Sequence, residues 1–285
     1  GNQKKADEVL RQALLMTFVL GCVFAVIGFI AAPWLIQFMG ASEDHVLQGG
    51  VDYLRIQMIG LPGLALTSTI TATLRGVGNS KTAMIYNAMA NIINVVFNYM
   101  LIYGNFGAPR MEVAGASLAT IIGQYCAMFM AFYAVMNGQQ YIILRFRDGF
   151  KPNKEEIKKI VDIGAPAMVE QVVMRIGLII YTRTVAGLGT LPYAVHQVCL
   201  NIQSLSFMNG QAFAVSATSL TGQSLGKKRH DMAQAYTTRT RKLGMCVSIF
   251  LGVVFFFFGG QIVALYSGGD QSLVELGAVI MMFVA

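Results

Sequence analysis

Residues 86–98 read YNAMANIINVVFN and run on into YMLIYG. Asn87, Asn91, Asn94 and Asn98 interrupt an otherwise apolar run at intervals of four, three and four. On a helix of 3.6 residues per turn this spacing puts all four amides on one face. The remaining residues are apolar enough for lipid. The fold must therefore let a membrane helix turn a polar stripe away from hydrocarbon.

Composition identifies the solvent. Apolar residues make up 55% of the 285, charged residues only 12%, and mean hydropathy is +0.58. A soluble domain carries roughly 25% charged residues. Uncharged runs of about 20 residues, the length that crosses roughly 30 Å of hydrocarbon as helix, recur at 14–39, 56–74, 82–103, 113–136, 160–187, 191–225 and 243–266, and another begins near Ser272. The expected fold class is an all-α integral membrane protein, with about eight transmembrane helices in this chain. The sixth run is amphipathic, with room for a cytosolic extension. The first is too long, and its start too polar, for a cleavable signal peptide.

A net charge of +7 raises nucleic acid as a partner, but the distribution of the charge points elsewhere. Seventeen of the twenty-one Lys and Arg fall in alternate connections. These are Lys4, Lys5 and Arg11; Arg75 and Lys81; Arg145, Arg147, Lys151, Lys154, Lys158 and Lys159; and Lys227, Lys228, Arg229, Arg239, Arg241 and Lys242. Such connections face the cytoplasm by the positive-inside rule. The intervening GASEDHVLQGG, GNFGAPRMEV, GLGTLP and SGGDQS are short and nearly neutral or acidic, as outer loops should be. The expected location is a plasma membrane, the inner membrane of a bacterium, with the lipid bilayer as partner and no nucleic acid.

Cys22, Cys126, Cys199 and Cys246 all lie in apolar segments without paired metal spacing. They read as small core residues. The one sizeable polar connection, residues 137–159, separates a first bundle at 1–136 from a second at 160–285.

The two halves look related. KKADEVLRQALLMTFVLGCV at the start resembles KKRHDMAQAYTTRTRKLGMCV from Lys227, and PWLIQFMGASED resembles GQIVALYSGGDQ from Gly260. Two helices precede this unit in the second half and none in the first. Three follow it in the first half, against one and a fraction in the second. Homologous halves thus predict six helices each, and the chain reads as a fragment of a twelve-helix protein.

Four stretches carry a family resemblance: TLRGVGNSKT, NVVFNYMLIYGNFGAPRMEVAGASLAT, IGAPAMVEQ and AVHQVCLNIQSLSFMNGQAFAVSATSLTGQSLGKKR. Together they resemble the multidrug and toxic compound extrusion (MATE) family over nearly the whole chain. The resemblance implies two pseudo-symmetric six-helix bundles around a central cavity, with this chain supplying helices three to nine and part of the tenth. It further implies export of organic cations and drugs, driven by inward flow of Na⁺ or H⁺, with no other cofactor. Two bundles on one linker suit alternating access about a midplane site. Pro62, Gly63, Gly164 and Pro166 are open to two readings, hinges or helix packing. A monomer is expected.

The amide stripe has two readings as well. Interhelical hydrogen bonds, each contributing about 0.6 to 2 kcal/mol, suffice for Asn87 and for Asn91, which also falls in the expected substrate cavity. Asn94 and Asn98, with Thr120 on the next helix, offer hard oxygen ligands for Na⁺, and similar family positions line a cation site. Asn98 stands where some members have Asp, and the chain is more similar to the NorM-type branch. In the second bundle Gln197, Asn201, Ser204 and Gln211 share a face, with His196 beside it either as a packing residue or as a proton carrier. Met174 and Met208 offer an adaptable wall for aromatic cations, or simply core. Glu170, a carboxylate about 10 Å into its span at 1.5 Å per residue, must be paired, hydrated or protonated; it joins Asn94, Asn98 and Thr120 as a candidate coupling residue.

An intramembrane enzyme would need a catalytic constellation, and the spans hold no HExxH, no GxSxG and no paired aspartates at catalytic spacing. Within transporters the alternative is a lipid or lipid-linked oligosaccharide flippase, whose cavity should be cationic. Arg175 is the main intramembrane candidate for that charge.

Overall fold

A computed structural model describes residues 3–38, 44–107, 109–138, 141–144, 152–266 and 271–284. They form α1 (Gln3–Phe38), α2 (Asp44–Gly76), α3 (Ser80–Tyr103), α4 (Glu112–Met136), α5 (Lys154–Ala186), α6 (Thr190–Gly226), α7 (His230–Tyr266) and α8 (Gln271–Val284). A single 3-10 turn at Asn105–Gly107 follows α3, and no strand occurs among the described residues.

The helices outrun the expected spans chiefly at the basic ends. Lys4, Lys5 and Arg11 lie on α1, Lys154, Lys158 and Lys159 on α5, and Arg239, Arg241 and Lys242 on α7. These charges ride on helix rather than in connections. Lys, Arg, Glu, Gln and Ala are good helix formers, so the backbone ladder continues past the apolar run into water. The same correction applies at 44–50, where the expected outer loop is already α2. Arg145, Arg147 and Lys151 lie outside the described residues, as do 40–43, 108 and 267–270 of the expected outer loops.

Five helices, α1, α3, α4, α5 and α7, are long and apolar enough to cross a membrane. The equally long α2 and α6 dilute their apolar surface with Thr, Gln, Asn and Ser. Large apolar side chains such as Ile30, Phe257 and Ile163, each more than 70% exposed, stand where only lipid is a compatible solvent.

Turn chemistry explains the break in TLRGVGNSKT. Gly78 takes a positive φ of 93°, open to glycine without a Cβ clash. Asn79 then caps α3 by accepting from the Thr82 N–H at 3.1 Å.

Contacts divide the chain into Gly1–Val161 and Asp162–Ala285, a division that falls within α5. In the first unit α1 packs on α2, and α2 and α3 both pack on α4. Its apolar core sits at the basic end, where Leu10 and Leu14 meet Leu66, Ile70, Leu74, Tyr86 and Val135. Ile142 and Leu144 of the linker are buried in the same cluster. The linker is further tied to α1: the Ile143 N–H donates to Asp7 at 2.9 Å, and the Asn153 amide donates to Glu8 at 2.7 Å. At its far end Lys159 bonds Glu156 at 2.7 Å and holds that carboxyl below its usual value. Residues 139–140 and 145–151 of the linker lie outside the described set.

In the second unit α6 packs on α7 and α8, and α7 on α8, around Val195, Cys199, Ile202, Phe255, Val263 and Met281. The two helices that open on the repeated basic motif, α1 and α7, have 36 and 37 residues. Each packs on the helix that follows it.

Farther along the spans, small residues do the packing. Gly63 meets the Tyr125 ring, which a Cβ would approach at 3.3 Å. Helix α2 continues through Pro62, and α5 through Pro166. Gly63 thus has a packing role, while Gly164 faces open space.

Candidate functional site

The amide stripe of α3 faces a cavity of about 250 Å³ within the first unit. Its polar lining is Thr67 from α2, Asn87, Asn91 and Asn94 from α3, and Thr120 and Gln124 from α4. Glycines set its width. A Cβ at Gly123 would stand 3.0 Å from the Asn94 Cβ, and one at Gly60 would stand 2.5 Å from Gln124 Oε1. Without these two side chains, α4 closes on α3 and presents Gln124 to α2.

Hydrogen bonds sort the stripe. Asn87 donates to the Ala83 carbonyl at 2.7 Å and to Thr71 Oγ1 at 3.5 Å, beside the buried Thr71–Tyr86 hydroxyl pair that joins α2 to α3. Asn98 does not line the cavity. Its amide donates to Asn94 Oδ1 at 3.1 Å and so orients the Asn94 side chain from one turn beyond. Thr120 spends its proton on the Ala116 carbonyl at 2.9 Å, leaving oxygen lone pairs for the cavity. Gln124 Oε1 is buried and has no partner.

The structure therefore brings Asn94, Thr120 and Asn91 together, adds Asn87, Thr67 and Gln124, and makes Asn98 a support. The lining offers amide and hydroxyl oxygens with no titratable group among them, a donor set suited to a small hard cation. Gln124 was not singled out from the sequence, although it stands one turn beyond Thr120 on the same face of α4, the spacing that could have found it.

A larger cavity, about 910 Å³, opens between α5 and α6 in the second unit. Of the residues expected there, Met174, Ser204 and Gln211 line it. Gln197, Asn201 and Met208 do not. Gln197 instead donates to the Tyr193 hydroxyl at 3.0 Å, and the Asn201 carbonyl accepts from Ser204 at 2.6 Å. The lining face of α6 runs through Leu200, Gln203, Ser204, Phe207 and Gln211, rotated from the face that polar residues alone would select. Gln203 and Phe207 were missed for that reason. On α5 the lining includes Gln171, Arg175 and Tyr181. Glu170, one turn before Met174 on the same face, is exposed and outside the lining. His196 is buried with Nε2 unpartnered, and stands edge-on to the Tyr181 ring at 5.0 Å.

Helices with lipid-grade exteriors and a cavity with polar lining in each unit define an integral membrane protein. The MatE family signature matches residues 1–100 and 166–285, and the chain belongs to that family. It is 24% identical over 277 residues to a Thermotoga maritima protein, covering 97% of this chain and 59% of the relative. It is 27% identical over 286 residues to one from Idiomarina loihiensis, covering 100% of this chain and 61% of the relative. Both are named "Probable multidrug resistance protein NorM". The fold is similar to the crystal structure of MATE in the bent conformation, with a TM-score of 0.86 at 22% identity, covering 99% of this chain and 62% of that one. The chain thus spans about three-fifths of the length of these relatives.

Proposed function

We propose that this chain is part of a secondary active efflux transporter that exports organic cations and drugs by alternating access, in exchange for Na⁺ or H⁺. The observation that carries the reading is the oxygen-lined cavity among α2, α3 and α4, enclosed by helices whose outer surfaces are apolar, in a member of the MatE family. Asn94 and Thr120 act as cation ligands, with Asn98 holding Asn94. Neutral oxygens suit Na⁺ better than H⁺ at this site, since no lining group there exchanges a proton. The protein works as a monomer in the plasma membrane with its basic helix ends in the cytoplasm.

The direct test is export of ethidium from cells expressing the complete gene, in Na⁺ medium against choline medium. Export that fails in both media overturns the reading. Glu170 is the charged residue assigned to coupling in the second unit. It is exposed and has no ion-pair partner among the described residues. Arg175 stands five positions on, about 140° around the helix. Glu170→Gln keeps shape and hydrogen bonding while removing the charge. Normal expression with export reduced at least tenfold, and a flattened Na⁺ or pH dependence, is expected. Wild-type export by Glu170→Gln removes it from the mechanism.

Orientation is testable by labelling. Asn153 is half-buried and bonded to Glu8, so Lys154, exposed at the start of α5, is the better cytoplasmic position. Arg110, exposed between α3 and α4, represents the outer side. In intact cells an impermeant thiol reagent should label Arg110→Cys and spare Lys154→Cys, in a background without the native cysteines. The opposite pattern reverses the topology.

A further inference from the structure

We infer that the linker segment Tyr141 to Leu144 is a cytoplasmic seal beneath the oxygen-lined cavity of the first unit, which stops the cavity's cation from leaking into the cytoplasm outside the transport cycle. The inference rests on the efflux reading and its orientation, and it gives the linker a part in ion coupling.

Helix direction fixes the order of layers in the unit. The cavity wall takes Thr67 from α2, Asn87 to Asn94 from α3, and Thr120 to Ala127 from α4. One to two turns nearer the basic end, the same helices contribute Ile70 and Leu74, Ala83 and Tyr86, and Ala131 and Val135 to one buried cluster. Leu74 stands seven residues past Thr67, about 10 Å along α2. A cation leaving the cavity in this direction therefore meets an apolar layer. The hydroxyls in that layer are already engaged, since Thr71 and Tyr86 bond each other across the seam of α2 and α3.

The linker completes the layer. Just past the end of α4 at Met136, Gly138 takes a positive φ of 70°, which glycine adopts without a Cβ clash. Ile142 and Leu144, two positions apart in non-helical chain, are 1% and 2% exposed. Ile142 stands against Leu10, Ile70, Leu74 and Val135. The Leu144 N–H donates to the Val135 carbonyl at 3.1 Å, one of the acceptors that the last turn of a helix leaves open. The Ile143 N–H is held by Asp7 of α1 at 2.9 Å.

The far end of the linker returns to the same helix. The Asn153 N–H donates to Gln12 at 3.1 Å, and its side-chain amide donates to Glu8 at 2.7 Å. A plain spacer needs neither buried side chains nor bonds back to α1. These anchors make the segment a floor of the bundle. Apolar constrictions stop ions by excluding water, because a cation cannot shed its hydration without replacement ligands. Shrinking Ile142 and Leu144 admits water to the layer and joins cavity to cytoplasm. The consequence is a gained leak, which loss of fold does not imitate with ion selectivity.

The test reads net Na⁺ entry, down its gradient and without drug, in proteoliposomes of the full-length protein. The double variant Ile142→Ala/Leu144→Ala should pass Na⁺ at least tenfold faster than wild type. Asp7→Ala, which releases the Ile143 N–H and keeps both apolar side chains, should give a smaller increase. Asn94→Leu, which replaces a cavity oxygen by an apolar group, should return the double variant to the wild-type rate. Unchanged Na⁺ entry in a double variant that elutes and melts like wild type overturns the inference. So does a leak that Asn94→Leu leaves intact, or one that passes choline as fast as Na⁺, since neither uses the cavity. Should the double variant fail to assemble, unchanged Na⁺ entry in folded Asp7→Ala overturns it equally. Ethidium export separates the two levels. Export by wild type, with no leak in any linker variant, leaves efflux standing and removes the seal. An Asn94-dependent Na⁺ leak in variants of a protein that exports no ethidium supports the seal and removes efflux.

Discussion

Gly115→Val should nearly abolish the folded full-length protein, while Gly49→Ala should leave its yield and melting temperature unchanged or slightly raised. A Cβ at Gly115 would stand 2.6 Å from the Leu101 carbonyl oxygen and 2.8 Å from its carbon. Those atoms are backbone, so no rotamer change makes room. The same oxygen accepts the Met111 N–H at 2.9 Å and closes the connection from α3 to α4. Valine therefore forces apart the helix pair that carries the amide stripe. Overpacking of this kind costs about 1–3 kcal/mol even where side chains can yield, and here they cannot. At Gly49, also helical, a Cβ meets nothing within 4 Å, so alanine brings only its gain of roughly 0.5–1 kcal/mol in helix propensity. Size-exclusion yield and thermal melting in detergent measure both. A Gly115→Val protein with wild-type melting would mean that α3 and α4 do not approach as described.

Asn98→Ala should lower ion-coupled export at least tenfold per folded molecule, whereas Asn87→Ala should act mainly on the amount folded. Asn98 contributes one hydrogen bond, and its recipient is Asn94 Oδ1, an oxygen on the cavity wall. Removing it frees the Asn94 amide to rotate and dismantles a preorganised ligand, while little packing is lost on the half-exposed side of α3. Asn87 sits differently. It touches the cavity, but its amide protons go to Ala83 and Thr71, beside the hydroxyl pair that fastens α2 to α3. Its deletion loosens a buried polar network, at about 1–3 kcal/mol. Transport rates in proteoliposomes, normalised to reconstituted protein and compared with and without a Na⁺ gradient, separate the effects. If the two variants behave alike, the whole stripe serves helix packing.

The second-unit residues show where periodicity stops being informative. Gln197, Asn201, Ser204 and Gln211 share a face, but Ser204 and Gln211 alone reach the cavity. Helix α6 turns Leu200, Gln203 and Phe207 toward α5 and leaves Gln197 to bond its own neighbour Tyr193. Polar periodicity records which side of a helix avoids lipid. It does not record which helix stands opposite.

Alone, the sequence determined the solvent, the helices and the polar stripes. Hydrocarbon leaves helix as the local solution for a backbone that must satisfy its own hydrogen bonds, and run length then follows from composition. The same sequence placed Asn87, Asn91, Asn94 and Asn98 on one face through a fixed 3.6-residue period. The tertiary structure alone decided which oxygens share a cavity and where the charges stand. Gln124 and Thr67 join the stripe because Gly60 and Gly123 let three helices close to a distance set by missing side chains. Helix α5 likewise turns Arg175 into the space beside α6 and leaves Glu170 outside its lining. Both outcomes depend on the angle and separation of neighbouring helices, which arise from side chains far apart in the chain and leave no periodic trace in any one helix.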